Sequence, residues 1–219
     1  MEANQLLTAF EKSKSGPTGA ALISALKGSK ATKGLNAAAL RNALRNFPPD
    51  VVASADPILK QLEAGDADRE KRLAELEAQL GTGGDASRGQ AVFFGRTASC
   101  TTCHTIGGAG GQVGPDLSKI GALRSRRDLL ESIVFPSASI ARGFEPFVVE
   151  TTDGNVYAGT LADEGGDAIH LKTPAELSIP RAQIKSFRPD RVSIMPQGLD
   201  AQLSKQELAD LLAFLAACK

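Results

Sequence analysis

Cys100-Thr101-Thr102-Cys103-His104 decides how the rest of this chain is read. Two thiols three positions apart, with an imidazole directly after the second, fit three chemistries. A thioredoxin-like redox pair places C-x-x-C at the start of a helix that follows a strand, inside a βαβ unit. Here the glycine-rich coil Gly107 to Gly111 follows, and no strand/helix alternation surrounds the pair. A structural zinc needs four converging ligands. Cys103 and His104 are neighbours that do not easily face one metal, and Cys218 and His170 are the only other residues of their types. The third chemistry is attachment of a c-type haem, for which C-x-x-C-H is the required spacing. The thiols add across the haem vinyl groups as thioethers, and the histidine meets the iron from one face. The sequence therefore predicts one covalent haem c per chain, held by Cys100, Cys103 and His104.

The flanks carry a family resemblance. Gly89-Gln90-Ala91-Val92-Phe93 ahead of the motif and Gly114-Pro115-Asp116-Leu117 after it resemble a class I cytochrome c. The resemblance implies that Gly89 lets another helix cross closely while an aromatic packs beside it. It also implies that the Pro115 carbonyl accepts the Nδ1 hydrogen of His104, orienting the ring and making it a stronger ligand. Read alone, the Gly-Pro stretch is equally an ordinary turn.

The same resemblance implies a methionine as sixth iron ligand, from a loop before the last helix. Met1 is the initiator, which leaves Met195, in Ser193-Ile194-Met195-Pro196-Gln197-Gly198-Leu199. Pro196 biases Met195 towards extended backbone, and Gly198 permits a tight turn. Ser204 and Glu207 then form a capping box. Leu208, Leu211, Leu212 and Leu215 follow at helical spacing, and Phe214 stands where the family packs an aromatic on the first helix. Methionine is elsewhere more often a core filler. His170 is the rival ligand, but it alternates with Ile169 and Leu171 and so belongs to the polar, solvent-facing side of a strand. The expected metal ligands are His104 and Met195.

Composition narrows the function classes. The 219 residues exceed what one small cytochrome needs and suggest more than one module. Lys+Arg 25 against Asp+Glu 25 leaves no net charge, which argues against nucleic acid or an anionic membrane as the main partner. Arg124, Arg126 and Arg127 form a local basic patch. No apolar run approaches the length of a membrane span. A c-type haem is normally attached outside the cytoplasm, so a periplasmic or otherwise exported location is expected. Met1 to Phe10 lacks the basic region and apolar core of a secretory signal, so the chain is expected to be a fragment. Cys218, unpaired once haem takes two thiols, reads as a small buried hydrophobe.

Along the chain, residues 1–81 read as helices, marked by Leu6, Leu7 and Phe10, by Leu22, Ile23 and Leu26, and by Leu35, Leu40 and Leu44. A further helix restarts at Asp56-Pro57, and another runs from Asp66 to Leu80 with Leu73, Leu76 and Leu80 among charges. HEAT-like repeats and a small bundle are both open for this region. Gly81-Thr82-Gly83-Gly84 is a linker, and Asp85 caps the next helix. Residues 82–143 plus 191–219 form the expected cytochrome domain, with Ser125 and Asp128 starting one helix that stops before Pro136. Residues 144–190 interrupt it with five strand-like runs and an Asp153-Gly154 hairpin signal. They read as an inserted small β-barrel similar to SH3 or Sm folds. The expected fold is mainly α with a small β module.

The order of these features resembles the haem-binding cytochrome c domain of planctomycete and verrucomicrobial proteins. It implies an electron outlet of a larger dehydrogenase-like chain, not an enzyme in itself. Its partner would be a redox protein or that upstream dehydrogenase domain, and its oligomeric state is left open. His/Met ligation would hold a low-spin iron, with Phe93, Phe94, Leu117, Ile120 and Ile133 as expected pocket walls. The alternative is a sensor or peroxidase-like protein with an open sixth position.

Overall fold

The computed structural model describes residues 3–29, 32, 35 and 37–219; Met1 lies outside them. The chain divides into two compact units, Met1–Ala74 and Glu75–Lys219. It is mainly α-helical with a small β module.

The first unit contains α1 (Ala3–Thr8), α2 (Gly16–Gly28), α3 (Ala37–Leu44), α4 (Pro49–Ser54) and the first part of α5 (Asp56–Leu80). Ser15 caps α2 by accepting the Thr18 N–H at 3.3 Å. Ile23, Leu40, Leu44, Val51, Ala55 and Leu59 form one buried cluster. Each large aliphatic side chain fully removed from water there contributes about 1.5–3 kcal/mol. The two helices expected on either side of Gly65 are one continuous helix, α5. A glycine in a helix interior costs only about 1 kcal/mol and, unlike proline, keeps its N–H. With nothing within 4 Å of the Gly65 position, no packing forces a break either. Leu73, Leu76 and Leu80 are all buried, as the apolar stripe requires.

The helical part of the second unit is built on α6 (Ala86–Phe94) and α10 (Lys205–Ala217), with α7 (Ile120–Leu123), α8 (Arg126–Val134) and α9 (Leu199–Gln202) around them. Both expected capping boxes are present, Ser125 with Asp128 on α8 and Ser204 with Glu207 on α10. The helices α6 and α10 cross at Gly89. A methyl group there would lie 1.9 Å from the Asp210 carbonyl oxygen, so only a hydrogen fits. Phe93 and Phe214 meet beside the crossing with ring centroids 5.8 Å apart. Leu130 on α8 and Leu212 on α10 are fully buried.

Gly107 to Gly111 is not simple coil. Thr105–Ile106 (β1) pairs antiparallel with Ala109–Gly110 (β2). Gly107 and Gly108 lie between them with φ of +60° and +82°, the backbone of a two-residue hairpin turn that side chains would oppose.

The β module has strands β3 (Pro146–Thr151), β4 (Val156–Glu164), β5 (Ala168–Lys172), β6 (Leu177–Pro180) and β7 (Ile184–Pro189). They form one antiparallel sheet in the order β6-β5-β4-β3-β7. The β3–β4 turn is the expected Asp153-Gly154 turn, with Gly154 at φ +88°. Val149, Ile169, Leu171 and Ile179 form the core of the module. Ile169 and Leu171 are fully buried while His170 between them is half-exposed, the alternation expected of a strand with one apolar face.

Candidate functional site

The Cys100–His104 segment is a single tight turn. Cys100–Thr102 is a 3₁₀ turn, and the Cys103 and His104 N–H groups both donate to the Cys100 carbonyl, at 3.2 and 2.9 Å. Ser99 enters it in the left-handed region, φ +49°, which costs a non-glycine residue free energy. Its hydroxyl donates to the Arg96 carbonyl at 2.7 Å, a local bond that offsets the strain. Cys100 and Cys103 are free, half-buried thiols. Burial raises the pKa of both. A redox dithiol works through a thiolate of depressed pKa, the opposite of the direction found at both cysteines.

The segment after the hairpin folds back on the turn. Gly111 N–H donates to the Thr101 carbonyl and Gly114 N–H to the Cys103 carbonyl, each at 2.8 Å. Pro115 then places its carbonyl oxygen 2.9 Å from His104 Nδ1. A carbonyl only accepts, so Nδ1 carries the proton and donates it, and Nε2 presents its lone pair. Among the described residues Nε2 has no hydrogen-bond partner. Burial lowers the pKa of His104, opposed by its bond to Pro115. Gly114 packs flat on the ring: a Cβ there would lie 2.5 Å from His104 Cε1 and 2.8 Å from Nδ1. The turn thus offers two unpaired thiols, Cys100 and Cys103, and a neutral imidazole of fixed tautomer, His104, within one five-residue segment. That donor set fits a covalently attached haem.

The other expected residues are distributed as follows. Met195 is half-buried in the loop before α9, its N–H donating to the Ser193 hydroxyl at 3.2 Å. Ser193 N–H in turn donates to the Ser137 hydroxyl at 3.0 Å, which ties that loop to the segment after α8. Among the expected pocket walls, Phe93 and Ile133 are buried, Leu117 and Ile120 are half-buried, and Phe94 is 41% exposed. Cys218 ends α10 with its thiol against the Phe214 carbonyl at 3.4 Å. In the basic patch, Arg126 donates to the Gly83 carbonyl at 3.2 Å and Arg127 pairs with Glu77.

Two residues were missed in the sequence. Asp210 is a buried carboxylate on α10 that accepts the Asp85 N–H at 2.7 Å, Arg88 Nε at 2.7 Å and Gln206 Nε2 at 2.8 Å. The Arg88 guanidinium, with these bonds, lowers its pKa to about 2. An aspartate in a leucine-rich helix gave no signal beyond its charge. Thr160 on β4 is buried, with its hydroxyl donating to the Val113 carbonyl at 3.2 Å. One threonine within a strand is indistinguishable in sequence from its neighbours.

Residues 86–147 match the family model for cytochrome c. No curated protein matches the chain. A cytochrome c domain implies a covalently bound haem c and an electron-transfer module that works with a redox partner. Among the described residues, no helix is long and apolar enough to cross a membrane.

Proposed function

We propose that Cys100 and Cys103 carry the thioether bonds of haem c, that His104 and Met195 are its axial ligands, and that the protein passes single electrons. The observation that best supports this is the seat of His104, with Nδ1–H on the Pro115 carbonyl, Gly114 against the ring and Nε2 uncommitted. Haem supplies reversible one-electron chemistry when bound. Pro115 holds the proton on Nδ1, which fixes the ring and raises its basicity as a ligand. Gly114 leaves room for the ring to sit flat. Phe93 and Ile133, both buried, would wall the haem from water. A thioether from Met195 favours a higher potential than a second imidazole would.

Several wider features support the finer reading. The strand order β6-β5-β4-β3-β7 and the 3₁₀ turn Arg181–Gln183 before the last strand suit a small barrel of the SH3/Sm kind, spanning residues 144–190. The barrel would interrupt a cytochrome domain of residues 82–143 and 191–219, preceded by HEAT-like helices over 1–81. This arrangement resembles the planctomycete-type haem-binding domain, a likeness that implies the electron outlet of a larger dehydrogenase-like chain in the periplasm.

The test is an optical spectrum of protein matured with haem in a periplasm, taken ferric and then reduced. Low-spin bands with the weak long-wavelength sulfur-to-iron band, lost in Met195→Ala, are expected. A high-spin ferric spectrum, or one unchanged by the substitution, would remove Met195 from the iron and favour the open-site alternative.

A further inference from the structure

The peptide group joining Val113 and Gly114 is held at both of its polar atoms. Its N–H, on Gly114, donates to the carbonyl of Cys103 at 2.8 Å. Its carbonyl, on Val113, accepts from the Thr160 hydroxyl at 3.2 Å. The same Gly114 lies flat against the His104 ring, and the next carbonyl, on Pro115, takes the Nδ1 proton. One peptide plane is therefore tied on one side to the cysteine motif and on the other to the β module.

The β-module side of this tie is rigid. Thr160 is 3% exposed and lies in β4, an inner strand, where it pairs with Pro146 on β3 and Lys172 on β5. Val149, Ile169 and Leu171 in the sheet's core have no exposed surface. The carbonyl it reaches belongs to a residue that is itself buried, Val113, where no water replaces a lost donor cheaply. A second contact zone lies alongside. The β5–β6 turn faces the motif across a small cleft lined by Thr102, Gly111, Gln112, Lys172, Thr173 and Glu176.

We propose that Thr160 is a positioning residue for the iron ligand: through the Val113–Gly114 peptide, the β module sets the angle and strength of the His104–Pro115 hydrogen bond, and so the electron-donating power of the imidazole. The inserted module thereby acts on the haem from its histidine side. This inference rests on the proposed ligation by His104. A firmly held Nδ1–H···O bond makes the imidazole a stronger donor and stabilises the oxidised iron, so loosening it raises the reduction potential.

The experiment compares full-length wild type, Thr160→Val and Thr160→Ser, each matured with haem in a periplasm. Valine keeps the branched shape and removes the donor; serine keeps the donor and removes the methyl. Potentiometric titration and proton NMR of the His104 ring in the reduced protein are the readouts. Thr160→Val is expected to raise the midpoint potential and speed exchange of the Nδ1 proton, while Thr160→Ser stays close to wild type. A loaded, folded Thr160→Val protein with both readouts unchanged, even if it melts lower, overturns the proposal and leaves Thr160 a purely structural residue. If Thr160→Val does not accumulate, wild type decides. A slowly exchanging Thr160 hydroxyl proton with a cross-peak to the Gly114 α-protons, which lie on the carbonyl side of the peptide, supports the tie, and a freely exchanging one overturns it. Wild type without a histidine-ligated haem would instead bring down the proposed function itself.

Discussion

The α6–α10 crossing and the contact of β4 with the Val113–Pro115 segment hold the second unit together by opposite means. At the crossing, backbone lies against backbone. Gly89 has no space for a single methyl, and the Asp210 carboxylate next to it collects N–H groups from Asp85, Arg88 and Gln206. At the β contact, one hydroxyl on a rigid sheet touches one carbonyl. Defects at the two places therefore have different consequences. The crossing governs whether the helical fold exists. The hydroxyl governs how a loop within that fold is set.

The largest expected effect is at the crossing. Gly89→Ala would gain up to about 1 kcal/mol of helix propensity. The clash with the Asp210 carbonyl outweighs that gain, because backbone on both sides cannot yield. A net loss of about 2 kcal/mol or more is expected by urea unfolding. A stable Gly89→Ala protein would show that the two helices can move apart at the crossing. Next comes Gly114→Ala, which sets a methyl against the His104 ring and is expected to cost about 1–3 kcal/mol. It should also lower the yield of haem-loaded protein, read as absorbance per mole of chain. Equal loading would show that the ring has room to shift.

Asp210 gives a test by pH. Its folded pKa, about 2, lies below the ordinary carboxylate value of 3.8. Its contribution to stability is therefore complete above about pH 4 and is lost as pH falls towards 2. Asp210→Asn is expected to be less stable at neutral pH and to show a shallower loss of stability between pH 4 and pH 2. Parallel stability–pH curves for the two proteins would contradict this. The smallest effect is Ser204→Ala, which removes one half of the α10 capping box and should cost about 1 kcal/mol by thermal unfolding. No change would place the start of α10 outside the part of the fold that limits stability.

Much of this was legible in the chain because the signals are local. Capping boxes need residues three apart, the Asp153-Gly154 turn needs two, and the strand faces follow from alternation at Ile169 and Leu171. The contact of Pro115 with His104 belongs to a motif whose parts are eleven residues apart. What escaped reading is what depends on partners far along the chain. Asp210 reaches Arg88 and Asp85 across more than a hundred residues, and Thr160 reaches Val113 across 47. No single-residue propensity carries such pairings. The division into a helix from Asp56-Pro57 and another from Asp66 to Leu80 failed for a different reason: no proline separates them, the glycine between them keeps its backbone N–H, and α5 runs straight through.

Single-electron transfer through a covalent haem is decided by a potentiometric titration of the haem-loaded wild-type protein, followed optically in both directions. Covalent haem that survives acid–organic extraction, a reversible one-electron curve and low-spin spectra at both ends are expected. Haem lost on extraction, or an irreversible curve ending in a high-spin state, would contradict it.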